Sequence, residues 1–148
     1  MAQLIDVLTP QVGRICGSIA LEDGRDAAQE ALLQIFRDLR TLREPKALRG
    51  WTRRIAVREA IRHAQRARRE PAVGTPAERL PARDHPALAR DVRSVLQSLP
   101  PEQRAILVLR DLEGLTEREA AAQLDVAHGT VKSRLHRARA AFAARWRS

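Results

Sequence analysis

The sequence predicts an all-α chain built as two small helical domains, and three observations predict it. Ala, Leu, Arg, Glu and Gln dominate the 148 residues, with neither long β-branched runs nor hairpin dipeptides. Apolar residues recur at three- and four-residue steps through most of the chain. A stretch from Pro71 to Pro86, with Pro71, Pro76, Pro81 and Pro86 five residues apart, divides that pattern in two. The expected organisation is therefore a helical domain over 1–70, a tether over 71–86 and a second helical domain over 87–148. Hydrophobic residues make up 44% but aromatics only 3%, so both cores should be modest and rich in Ala.

In the first domain Leu4, Leu8, Val12, Ile15 and Ile19 form one helical stripe, with Pro10 read as a helix start or kink. Leu21-Glu22-Asp23-Gly24 breaks the pattern. It resumes from Asp26, with Ala28, Leu32, Ile35 and Leu39 expected on the packed side and Asp and Glu concentrated near the N-terminal end, where the helix dipole favours them. Cys16, the single cysteine, excludes an internal disulfide and reads as a small core residue among Ile15, Ile19 and Ala20.

The most basic segment follows, with ten Lys or Arg between Arg43 and Arg69 against Glu44 and Glu59. Pro45 and Gly50 bracket an expected loop, and a helix is expected from about Trp51. On it Val57, Ala60, Ile61 and Ala64 share one side, while Arg58, Arg62, Arg66 and Arg69 line another, with Trp51 and Ile55 at its start. A stripe of that density can neutralise several phosphates. The alternative is a solvated face or one paired with acids on a partner.

Beyond the tether, Leu88 to Leu99 and Pro101 to Leu112 read as two helices, with seams at Val92, Val95, Leu96 and Leu99 and at Ile106, Leu107, Leu109 and Leu112. Pro100-Pro101 makes a sharp boundary. The stretch from Leu115 to Trp146 then reads as two helices around a tight turn. Thr116 and Glu119 have capping-box spacing, Ala120, Ala121 and Leu124 offer a small apolar face, and Asp125-Val126-Ala127 interrupts it. From near Gly129, at about 100° per residue, Val131, Leu135, Ala138 and Phe142 fall in one stripe while Lys132, Ser133, His136, Arg137 and Ala140 crowd the other side. Six Lys or Arg and no acid lie between Lys132 and Arg147. A helix-turn-helix with such a second helix suits the major groove, where Lys and Arg donate to guanine and Ser or His can bond either kind of edge.

The formal charge of +9 points to a polyanionic partner or an acidic protein surface. No basic leader with an apolar core and cleavage site, and no apolar run of membrane-spanning length, is present, so a cytoplasmic location without membrane insertion is expected. The four His, at 63, 85, 128 and 136, lack metal-ligand spacing, and neither a nucleophilic triad nor a phosphate-cradling Gly loop occurs. No catalytic residue, metal or cofactor is expected, and the chain is not read as an enzyme.

GTVKSRLHRAR, Gly129 to Arg139, resembles the DNA-binding helix of region 4 in sigma-70 family RNA polymerase sigma factors of the extracytoplasmic-function (ECF) group, and Leu99 to Leu124 is similar to the rest of that region. The resemblance implies recognition of the minus-35 promoter element by Lys132, Ser133, His136 and Arg137. It departs at the turn, where Asp125 and Ala127 stand in place of the usual Gly and Ser or Pro. DAAQEALLQIF, Asp26 to Phe36, is similar to region 2 of the same group, which implies a polymerase-binding surface at Asp26, Gln29 and Glu30. GWTRRIAVREAIRHAQR resembles the segment that binds and opens the minus-10 element, implying DNA contacts at Arg54, Arg58 and Arg62. Arg53, Arg58 and Arg62 replace residues usual there. The implied function is promoter-specific initiation with core RNA polymerase, double-stranded promoter DNA and an anti-sigma factor as partners. A stand-alone helix-turn-helix regulator is the alternative, and an adaptor that docks but does not melt DNA is a third reading.

Overall fold

The computed structural model describes residues 2–69 and 86–148, and every regular element among them is helical. The chain divides into two compact units, Met1–Ala72 and Val73–Ser148. The expected tether lies outside the described residues up to 85, whereas Pro86 already opens a helix.

In the first unit α1 (Ala2–Ala20), α2 (Gly24–Asp38) and α3 (Leu48–Arg69) pack against one another. Leu8, Val12, Ile15, Cys16 and Ile19 of α1 are fully or almost fully buried, as the periodicity predicts. Leu4 is only half-buried. The helix continues through Pro10, so only the carbonyl partner four residues back loses its bond and no helix start falls there. The break at 21–24 is tight: Leu21–Asp23 is a single 3-10 turn, and Leu21 adopts φ 57°, a left-handed conformation that disfavours any side chain.

The buried stripe of α2 differs from expectation. Gly24, Ala27, Ala31 and Ile35 face the core, while Ala28, Leu32 and Leu39 sit at its margin and Leu33 is 62% exposed. The reason is closeness of approach. A Cβ at Gly24 would lie 2.7 Å from the Cα of Gly17, so α2 crosses α1 backbone to backbone and only small residues fit the contact. On α3 the buried set is Thr52, Ile55, Ala56, Val57, Glu59, Ala60 and Ala64. Ile55 thus belongs to the core rather than to the arginine stripe, and Ile61 is marginal. Gly50 lies within α3 instead of a loop, because the 3-10 turn Pro45–Ala47, capped by Glu44 Oε1 accepting from the Lys46 N–H at 3.3 Å, starts the helix early. Trp51 is half-buried.

The second unit contains α4 (Pro86–Ser98), α5 (Pro101–Leu107), α6 (Glu117–Leu124) and α7 (His128–Arg147), with α4, α5 and α6 all against α7. Leu96 and Leu99 are buried, Val92 and Val95 half-buried. The α5 helix passes into a π turn, Val108–Leu112, closed by the Glu113 N–H on the Val108 carbonyl at 2.8 Å. Its wider winding rotates Leu112 off the seam predicted for it. Leu112 is 64% exposed while Ile106, Leu107 and Leu109 stay buried. Gly114, at φ 70°, then redirects the chain into α6.

Candidate nucleic-acid interface

The helix-turn-helix is assembled from local signals that can be followed bond by bond. The Thr116 hydroxyl accepts from the Glu119 N–H at 3.1 Å and Glu119 Oε1 accepts from the Thr116 N–H at 3.0 Å, completing the capping box that starts α6. Asp125 ends α6 at φ 56°, ψ 47°, a left-handed position that Asp tolerates better than most residues. Ala127 caps α7 without a side-chain bond. In its place His128 Nε2 meets Glu117 Oε2 at 3.0 Å, linking the first turns of α6 and α7.

Val131, Leu135 and Ala138 of α7 are buried against the rest of the unit, and Phe142, half-buried, stacks on Trp146 with ring centroids 6.1 Å apart. Lys132, Ser133, His136 and Arg137 all stand exposed on the opposite side. The Ser133 hydroxyl donates to the Thr130 carbonyl at 3.1 Å, which leaves its lone pairs free to accept. Among the described residues no carboxylate pairs with Lys132 or Arg137. Arg139 differs: its guanidinium forks onto Asp111 of the π turn, with Nε and Nη2 donating at 3.2 and 2.6 Å. This hydrogen bonding raises the Arg139 pKa further above its already high ordinary value, and it fastens the middle of α7 to the π turn that follows α5.

The basic helix α3 presents a different surface. Arg58 and Arg62 are exposed and Arg54 half-buried, at four-residue steps along one side. Arg62 is occupied. Its Nε and Nη2 donate to Glu59 Oε2 at 3.1 and 2.7 Å, and Nη2 also reaches Glu30 Oε2 on α2. Hydrogen bonds to Glu59 come first among the causes that raise the Arg62 pKa, and Glu30 adds to them. Partial desolvation pushes the Glu30 carboxyl up, but Arg62 and then His63 outweigh it and hold it below its ordinary 4.5. His63 Nε2 lies 3.5 Å from Glu30 Oε2 and 3.9 Å from Glu59 Oε2.

Two residues assigned to separate surfaces, Glu30 to polymerase and Arg62 to DNA, are therefore brought into one cluster. Asp26, Gln29 and Glu30 are all exposed on α2, beside the exposed Leu33. Sequence reasoning missed Glu59, His63, Asp111, Glu117 and His128 as members of these networks. The i,i+3 spacing of Glu59 and Arg62 could have revealed one pair. The contacts with Glu30 and Asp111 cross between elements and leave no local trace. The cluster also places His63 beside two carboxylates, which no spacing among the four histidines indicated.

Family comparison agrees with this architecture. Residues 4–70 match the model for sigma-70 region 2, and residues 89–142 match that for sigma-70, region 4. The ECF RNA polymerase sigma factor SigE of Mycolicibacterium smegmatis is 38% identical over 128 residues, covering 79% of this chain and 49% of that protein. SigM of Mycobacterium tuberculosis is 39% identical over 126 residues, covering 82% and 63%. The chain thus spans about half to two thirds of these two relatives. The RNA polymerase sigma-H factor of Pseudomonas aeruginosa is 34% identical over 138 residues, covering 82% of this chain and 72% of that one. Among solved structures, the sigma factor RpoE from Bartonella quintana, bound to the anti-sigma factor NepR, shares the fold with a TM-score of 0.79 at 22% identity over 99% of this chain and 96% of that one. CnrH, in complex with the cytosolic domain of CnrY, gives 0.68 at 25% identity over 97% and 84%. Both halves of the chain carry the fold and the sequence of one group, and the chain belongs to the sigma-70 family of RNA polymerase sigma factors, in its ECF group.

Proposed function

We propose that the chain is a sigma initiation factor that binds core RNA polymerase and directs it to promoters carrying minus-35 and minus-10 elements. The observation that carries this reading is the capped helix-turn-helix whose second helix holds Lys132, Ser133, His136 and Arg137 exposed together on a side without acids. Those four residues read the minus-35 element in the major groove. Asp26, Gln29 and Glu30 on α2 contact polymerase, and Arg54, Arg58 and Arg62 on α3 face the minus-10 element. In this reading residues 1–70 are the polymerase and minus-10 domain, 71–86 the linker and 87–148 the minus-35 domain.

Promoter opening draws on binding energy applied to unstacked bases, and the nucleotidyl transfer belongs to polymerase, so the chain itself breaks no bond. It works in the cytoplasm. Among the described residues no helix is long and apolar enough to cross a membrane. The solved structure of the sigma factor RpoE is a complex with the anti-sigma factor NepR, which supports an anti-sigma partner here.

Multi-round transcription with core polymerase lacking any sigma, using upstream DNA from the source genome, tests the proposal. Discrete starts that require the chain are expected. No binding to core polymerase would refute it and favour a stand-alone regulator.

A further inference from the structure

The cluster between α2 and α3 has chemistry that promoter recognition does not use. Glu59 and His63 are one turn apart on α3, and Glu30 comes from α2. Their three ligand atoms, Glu30 Oε2, Glu59 Oε2 and His63 Nε2, lie within 4.8 Å of one another. A zinc-class ion about 2.0–2.2 Å from each ligand in tetrahedral geometry needs ligand atoms about 3.3–3.6 Å apart. The two distances from His63, 3.5 and 3.9 Å, are already close to that spacing.

Arg62 balances the carboxylates but does nothing for the imidazole. The His63 side chain is nine-tenths buried, and its Nε2, 3.5 and 3.9 Å from the two carboxylates, makes no close hydrogen bond. A guanidinium offers only donors, so it cannot engage a ring nitrogen's lone pair. A divalent metal can, and it would accept from both carboxylates as well. Arg62 is 53% exposed on a long flexible side chain and can swing into solvent to make room. A histidine with two carboxylates suits zinc, cobalt or nickel better than calcium or magnesium.

We propose that Glu30, Glu59 and His63 form a site for a divalent transition metal of the zinc class, with Arg62 as its built-in competitor. The site joins α2 to α3, and water completes the coordination on the exposed side. The metal site stands independently of the function proposed above. Its consequence rests on that function, because occupancy would move Arg62 off Glu30 and so alter a polymerase-facing and a DNA-facing residue together.

Titration of the purified full chain with Co²⁺, followed by its visible ligand-field absorption and by displacement with Zn²⁺, tests the site. One Co²⁺ per chain is expected. Arg62→Ala should tighten binding about 10- to 100-fold, because the charge-assisted competitor is gone. Glu30→Gln, at a half-exposed position that spares the core, and His63→Gln should each weaken it by about tenfold or more. Helicity by circular dichroism confirms that each variant is folded. Unchanged or weaker binding in Arg62→Ala would overturn the proposal. So would wild-type Co²⁺ affinity in folded Glu30→Gln, since the metal would then be held elsewhere.

Discussion

The two cationic helices, α3 and α7, look alike in composition and differ in where their acids lie. On α7 the acids are remote in sequence and only Arg139 is drawn off, by Asp111, leaving Lys132 and Arg137 without a carboxylate partner among the described residues. On α3 an acid sits within the helix and another faces it from α2, so Arg62 is held by Glu59 and Glu30. Phosphate affinity depends on cations that can give up water and counterions, and a guanidinium already bonded to two carboxylates has less to offer. Density of positive charge alone therefore does not measure the charge that a helix has free to offer a phosphate.

That contrast can be broken or sharpened in several ways. The largest expected effect is at α7. Arg137→Ala should lower binding to the upstream element by about 1–3 kcal/mol and relax specificity there, measured by titration of promoter DNA. Wild-type affinity and specificity would remove the recognition-helix assignment. The second effect compares two arginines four residues apart on α3. Arg58→Ala should reduce the slope of log affinity against log salt by about 1, as for one lost phosphate contact. Arg62→Ala should change it distinctly less. Equal slope changes would mean that the carboxylates do not restrain Arg62 on DNA.

A third effect is on folding. Arg62→Ala should lower the unfolding free energy in urea at neutral pH, because it leaves the buried Glu59 carboxylate without its guanidinium partner. The pH dependence of that cost has a defined sign. Glu30 has its folded pKa depressed, so its pairing contributes fully above the ordinary value of 4.5 and is lost as pH falls through the lower folded value. The gap between wild type and Arg62→Ala should therefore narrow as pH drops below 4.5. A gap that widens in acid would contradict the pairing. The smallest effect is a chemical silence. Burial first, and Glu59 second, push the Cys16 thiol up to about 12, and its Sγ lies 3.6 Å from the Ala56 carbonyl in the core. Thiol reagents near pH 8 should label the folded chain only at the rate of its opening.

The second unit was the more legible in sequence because its signals are local. A capping box spans three residues, a left-handed turn needs one tolerant residue, and a helical stripe repeats every turn, so Thr116, Asp125 and the Val131–Leu135–Ala138 stripe could all be read directly. The π turn could not, since nothing in Val108 to Leu112 distinguishes five residues per bonded loop from four, and Leu112, expected on the seam, is exposed for that reason. In the first unit the α1 stripe is written in Leu, Val and Ile, and four of its five members, Leu8, Val12, Ile15 and Ile19, are buried where the periodicity predicts them. The α2 stripe is written in Gly and Ala, whose weak hydrophobicity hides the buried side while larger residues nearby mark only its margin. What decided it was the Gly17–Gly24 approach between two helices, a contact absent from either helix alone. The free face of α7 was legible for the same reason that the cluster on α3 was not: its neighbours in sequence are its neighbours in space.

The central claim, that the exposed residues of α7 read the upstream promoter element, is tested most directly by selecting active templates from a randomised promoter library with the wild-type chain and with Arg137→Ala on core polymerase. The variant is expected to lose base preference at positions within the upstream element and to keep the wild-type preference downstream. Unchanged preference upstream, or a change confined to the downstream element, would contradict it.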